Sequence, residues 1–224
     1  MHSAEIIVSI QSIYDKYSVP LNVQRHMKEV AAVAEMICDN SKLKVNKEDV
    51  VASCLIHDLG NVIKMKFETL QDVVLLDEED QKKIDFYKNQ REEMRKKYGA
   101  NAEHADLLIA KELGASIRVL ELISHKAIHI EDEKFVSNDF EEIIAAYADM
   151  RVSPHGIVSM RERLDEYRKR YKLHEDEGQL EHSKKFAILS EKMEEELFNK
   201  VLIKPEDITN LLAKKYIEKY GKVK

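Results

Sequence analysis

A chain of 224 residues, 44% hydrophobic and 35% charged, with a formal net charge of −6, suits one large soluble globular domain or one domain with an extension. There is no basic block to serve as an electrostatic footprint for nucleic acid, and no apolar run approaches the roughly 18–20 residues that span a bilayer. The opening Met1-His2-Ser3-Ala4-Glu5 lacks the basic start of a signal peptide.

Glycine (6) and proline (3) are scarce, so an all-α fold is expected. Residues 4–17 place Ile6, Ile10, Ile13 and Tyr14 at helical spacing, and Ser18-Val19-Pro20 breaks the pattern. A second helix starts near Pro20 and ends near Asn40, with His26 on the face of Val30 and Val33. Asn46 caps a third helix, expected over 47–59, whose acidic first turn suits the helix dipole. Gly60 is expected to stop it. Residues 61–76 read as a loop or short helix, and 77–98 as a charged surface helix or insert ended by Gly99. Helices follow over 102–113, 116–128 and 139–152, with a polar loop at 131–138. Two or three long charged amphipathic helices, near 157–173, 177–200 and 205–220, follow. The expected division is a domain over 1–172 and an extension over 173–224 that packs on the bundle or on a partner subunit, as in a homodimer. Cys38 and Cys54 sit in apolar helical contexts and read as free buried thiols of a reducing compartment, hence the cytoplasm.

The stretch Cys54-Leu55-Ile56-His57-Asp58-Leu59-Gly60-Asn61 puts an imidazole and a carboxylate at the end of an apolar run. A charge drawn inward there needs a partner, a proton or a metal, because uncompensated burial costs several kcal/mol. His26 and Asp149 are further chemistry-bearing groups beside apolar residues, and His104, His125 and His129 lie between. Imidazole nitrogen with carboxylate oxygen suits Mn, Fe, Ni, Co or Zn, while the cysteine spacing excludes a zinc finger.

The order His26, His57-Asp58, Asp149 resembles the HD-domain superfamily of metal-dependent phosphohydrolases, whose pattern is H…HD…D on an all-helical core. Leu55-Ile56-His57-Asp58-Leu59-Gly60-Asn61 is close to that family's HD box, and Ala146-Tyr147-Ala148-Asp149-Met150-Arg151 to its closing aspartate box. The resemblance implies an HD-type helical bundle with additional C-terminal helices, and His26, His57, Asp58 and Asp149 as ligands of a first metal. His104 and His125 make the chain similar to the two-metal subgroup H…HD…H…H…D, in which they complete a second ion or hold a phosphoryl oxygen.

The implied cofactor is a divalent transition metal, one or two ions, with Fe, Mn, Ni or Co favoured over Mg or Zn. The implied reaction is hydrolysis of a phosphate ester or anhydride of a small phosphorylated metabolite such as a nucleotide. Asp58, His104 and His125 are the expected catalytic groups. Asn61, Lys64 and Arg151 are the expected contacts to the anionic substrate, with Lys126 as a further cation. A nucleotide sensor without turnover and a di-iron oxygenase are the alternatives. His129 is read as a rim residue and His155 as a turn residue. His2, His174 and His182 have no role in the site.

Overall fold

The computed structural model describes residues 2–68, 73–125, 139–172 and 177–221. Among them eleven α-helices form a bundle around one buried rod. They are α1 (Ser3–Lys16), α2 (Leu21–Asp39), α3 (Lys47–Ile56), α4 (Glu78–Gln81), α5 (Ile84–Tyr98), α6 (Ala102–Glu112), α7 (Ile117–Ser124), α8 (Phe140–Met150), α9 (Met160–Arg170), α10 (Glu177–Phe198) and α11 (Asn210–Ile217). A two-stranded antiparallel hairpin, β1 (Val152–Ser153) and β2 (Gly156–Ile157), comes after α8. No helix among the described residues is long and apolar enough to cross a membrane.

The central rod is α2. From Val30 to Cys38 every residue is buried, as befits a helix packed on all sides. It lies against α3, α8 and α11, while α3 also packs on α1, α7 and α8. Burial of Met27, Val30, Ala31, Val33, Ala34 and Ile37 with Val50, Val51, Leu55 and Ile56 makes the contact. This apolar area, removed from water at roughly 25 cal/mol per Å², brings the end of α3 alongside the middle of the bundle. Asn46, the cap read from sequence, accepts a backbone N–H from the first turn of its helix, and Asn101 and Asp139 do the same for theirs.

Several boundaries differ from those expected. Helix α3 ends at Ile56, so His57 and Asp58 sit in a turn beyond it. Residues 73–76 form no strand, in keeping with the loop or short helix expected there. The charged stretch 77–98 splits into α4 and α5, and together they brace the site region. The Asp80 carboxylate is buried and accepts the Leu21 N–H at 2.6 Å, which caps α2, and also the Tyr87 hydroxyl at 2.7 Å. Arg25 forks onto Asp77. Arg95 donates twice to the Ile63 carbonyl, and Arg91 to that of Met65. Those carbonyls belong to or come just after the short 3₁₀ turn Asn61–Lys64.

The C-terminal helices lie on the bundle. Lys28, fully buried in α2, donates to the Gly221 carbonyl and to Gln11. Glu35 accepts from Lys219 and Tyr220. Both cysteines are buried, and burial first, then the neighbouring Asp39, pushes the Cys38 thiol up to about 12. Such a thiol is inert at neutral pH.

Candidate metal centre

Four side chains from three places in the chain meet at one point. His26 comes from the first half of α2, His57 and Asp58 from the turn after α3, and Asp149 from the last turn of α8. His26 Nε2 lies 2.9 Å from Asp149 Oδ1 and 4.0 Å from Asp58 Oδ2. His57 Nε2 lies 3.6 Å from Asp149 Oδ1 and 3.8 Å from Asp58 Oδ2. His26, His57 and Asp58 offer ligand atoms that are all within 4.8 Å of one another. Ligand bonds of about 2.1 Å at right or tetrahedral angles separate ligand atoms by about 3.0–3.4 Å. One observed spacing lies just below that range, and the other three, at 3.6–4.0 Å, lie above it.

Donor chemistry agrees with the spacing. His57 Nδ1 is 2.7 Å from the Cys54 carbonyl. A carbonyl only accepts, so Nδ1 carries the proton and the lone pair of a neutral ring is on Nε2, toward the carboxylates. Loss of water pushes the Asp149 carboxyl up. When the His26 and His57 rings are protonated, their hydrogen bonds and charge outweigh this and hold it well below the usual carboxylate range. One divalent cation between the rings and the carboxylates supplies the same compensation. The residues therefore fit a metal. The site is reachable: 35% of the Asp149 side chain and 23% of that of His26 are exposed, against 5% for His57. A narrow apolar crevice lined by Val30, Leu122, Ile123 and Ala145 runs up to His57 and Asp149.

Of the six expected metal ligands, the structure brings these four together. His104 is exposed on the first turn of α6, and His125 is exposed at the end of α7 with Nδ1 2.7 Å from Glu142. Neither joins a metal-holding group among the described residues. Asn61, expected to contact substrate, donates from its Nδ2 to Asp58 Oδ2 at 3.0 Å, so it orients that carboxylate. Lys64 is exposed on the 3₁₀ turn, and His155 is exposed in the hairpin turn with its N–H on the Ser153 hydroxyl. Lys126 and His129 lie outside the described residues.

Arg151 is a correction. It is buried, and its guanidinium donates to the carbonyls of Val158, Pro205 and Ile208 and to the Tyr147 hydroxyl. Two residues along a helix turn by about 200°, so Arg151 points away from the face that carries Asp149.

Asp106 is a residue that the motifs do not single out. It is 1% exposed and accepts the Gly60 N–H at 2.6 Å. Its sequence signal, a carboxylate among Ala105, Leu107, Leu108, Ile109 and Ala110, is of the same kind as that of Asp149. Gly60, expected to stop the helix, does so without a left-handed backbone. Its φ is −85°, and it is glycine because a Cβ would lie 2.9 Å from the Ala102 carbonyl oxygen and 2.9 Å from Ala105 Cβ.

Asn61→Ala is expected to weaken Mn²⁺ binding by about ten- to a hundredfold, the usual cost of losing a group that orients a metal ligand. Calorimetric titration of the purified protein measures it. An affinity equal to that of the parent would show that the amide does not position Asp58.

A family model for the HD domain matches residues 23–151. This span starts just ahead of His26 and ends just after Asp149. No curated protein and no solved structure matches the chain.

Proposed function

The chain belongs to the HD-domain family, and from that premise we propose that it is a metal-dependent phosphohydrolase acting on a small phosphate ester or anhydride, such as a nucleotide. The observation that carries this is that Nε2 of both His26 and His57 lies 2.9–4.0 Å from a carboxylate oxygen of both Asp58 and Asp149. These four residues would hold a divalent transition metal, Fe, Mn, Ni or Co before Mg or Zn. When bound, such an ion supplies Lewis acidity for a phosphoryl oxygen and acidifies water toward neutrality.

The chain's own residues do the rest. The Cys54 carbonyl fixes the His57 tautomer, and Asn61 fixes one oxygen of Asp58. Asp58 is the carboxylate we assign to orient the attacking water and take its proton. Asp149 stays ionised between the two rings, which keeps His26 and His57 facing one point. The apolar crevice behind His57 lowers the local dielectric and strengthens each of these interactions. Lys64 is the one expected cation that the described residues leave exposed near the site's turn, and we assign it to the substrate's negative charge.

The four-ligand set supports one ion. His104 and His125 stand outside it, so neither the two-ion hydrolase nor the di-iron oxygenase gains from the geometry. A complete ligand set also speaks against a sensor that has lost turnover.

Protein stripped with EDTA and reloaded with Mn²⁺, Co²⁺, Ni²⁺, Fe²⁺, Mg²⁺ or Zn²⁺ is expected to release phosphate from at least one member of a panel of nucleotides and simple phosphate monoesters. Stripping alone should remove at least about 99% of the activity, as expected where the ion supplies the main stabilisation of the reacting charge. Saturable nucleotide binding with no product under every metal would overturn the hydrolase in favour of the sensor.

A further inference from the structure

Taking the metal centre proposed above as the premise, we infer that Asp106 is a positioning residue: its buried carboxylate, by accepting the Gly60 N–H, holds the 57–60 turn so that two consecutive side chains reach one cation. Consecutive residues on a helix diverge by about 100°, and His57 keeps near-helical backbone angles (φ −66°, ψ −20°), so His57 and Asp58 reach one ion only where the turn that carries them is held in place. The helix ends at Ile56, and a turn carries the chain on through Gly60. The Leu59 N–H reaches the Ile56 carbonyl only at 3.5 Å, at the outer limit of a hydrogen bond.

The turn is instead held from the side. Asp106 Oδ1 takes the Gly60 N–H at 2.6 Å, a short charge-assisted bond. The same face of α6 is pressed against Gly60, where a Cβ would meet the Ala102 carbonyl oxygen and Ala105 Cβ at 2.9 Å and Asp106 Oδ1 at 3.0 Å. Ala102 and Asp106 are four residues apart and lie one above the other on α6, so a regular helix is the template for an irregular turn. That helix is anchored by Asn101 Oδ1, which accepts the His104 N–H at 2.8 Å. From the opposite side the Cys54 carbonyl holds the His57 ring. The two ligands are thus gripped by α3 at His57 and by α6 two residues after Asp58. A carboxylate that is 1% exposed is costly to bury, and this grip on the ligand turn is a use for it.

The test compares Asp106→Asn with Asp106→Ala by Mn²⁺ titration of the stripped protein, alongside thermal melting and steady-state kinetics. The amide oxygen of Asn can still accept the Gly60 N–H, so that variant is expected to bind Mn²⁺ within about threefold of the parent. The Ala variant is expected to bind about ten- to a hundredfold more weakly, the range for loss of a group that orients a ligand. A role confined to stability would lower the melting temperature of both and leave the Mn²⁺ affinity of folded protein unchanged, and that outcome overturns the inference. So does an Asn variant as weak as Ala, which would show that the charge matters and not the bond. If Ala does not fold, Asp106→Ser, too short to reach Gly60, takes its place with the same expected weakening. A parent protein that binds no Mn²⁺ refutes the metal centre itself, and the role of Asp106 falls with it. Parent binding with an unaffected Ala or Ser variant refutes Asp106 alone.

Discussion

Asp149→Ala is expected to give a folded protein that no longer retains metal and that releases phosphate at least on the order of 10³-fold more slowly, the scale seen when one member of a group that acts as a unit is removed. Asp149 Oδ1 is the hub of the cluster, 2.9 Å from one imidazole nitrogen and 3.6 Å from the other. Without it, two rings from different segments face each other with Asp58 as the remaining carboxylate. Three donors hold a divalent ion far less well than four, and the loss of one negative charge compounds this. The fold itself should tolerate the change. Asp149 is partly exposed, and α8 is anchored elsewhere, through buried Ile143, Ile144, Tyr147 and Ala148. Stability should therefore shift by no more than about 1 kcal/mol, as for most substitutions outside the core. Elemental analysis after gel filtration, phosphate release and a thermal melt read the three quantities separately. Stoichiometric metal in the Ala variant would refute the four-ligand centre.

The helical class and the four candidate ligands were legible for one shared reason. Periodic burial leaves its mark on sequence, and a polar group interrupting an apolar face stands out against it. His57-Asp58 after Val50-Val51-Ala52, and Asp149 after Ile143-Ile144-Ala145-Ala146, are such interruptions. Asn46 was legible as a cap because an unpaired first turn needs an acceptor at a fixed offset.

What escaped depends on contacts between segments. The apolar run that carries α3 continues through Leu59, so periodicity alone extends the helix. It stops at Ile56, and Asp106, from 46 residues further on, takes the Gly60 N–H. A glycine required for close approach and a glycine required for positive φ look alike in sequence. Gly114, with φ +68°, is of the second kind, while Gly60 is of the first. His104 and His125 neighbour apolar residues, yet each lies at the exposed end of its helix, where sequence spacing does not resolve inside from outside. The arginines of α5 look like a solvated face but close backbone carbonyls after the ligand turn. Local charge patterning does not separate these two uses.

Arg151→Met should unsettle the fold while leaving substrate affinity alone. The guanidinium is 3% exposed and bonds three backbone carbonyls from two segments, Val158 in the hairpin region and Pro205 and Ile208 ahead of α11, plus the Tyr147 hydroxyl. Tyr147 in turn donates to Glu194 of α10 at 2.6 Å. Arg151 therefore ties α8 to both C-terminal helices. Methionine fills much of the volume but leaves the three carbonyls without this donor and Glu194 without the positive charge nearby. Breaking such a buried network costs roughly 3–5 kcal/mol. For a chain of this length that corresponds to a melting temperature lower by about 6–20 °C. Arg151→Lys should recover little, since an ammonium on a single stem cannot span carbonyls that a planar fork reaches together. Urea denaturation and a thermal melt measure the loss. Steady-state kinetics below the new transition should give a KM within about twofold of the parent, because a group that binds neither ground state nor transition state leaves KM unchanged. A variant of parental stability with KM raised at least about tenfold would return Arg151 to the substrate and place the site on the opposite face of α8.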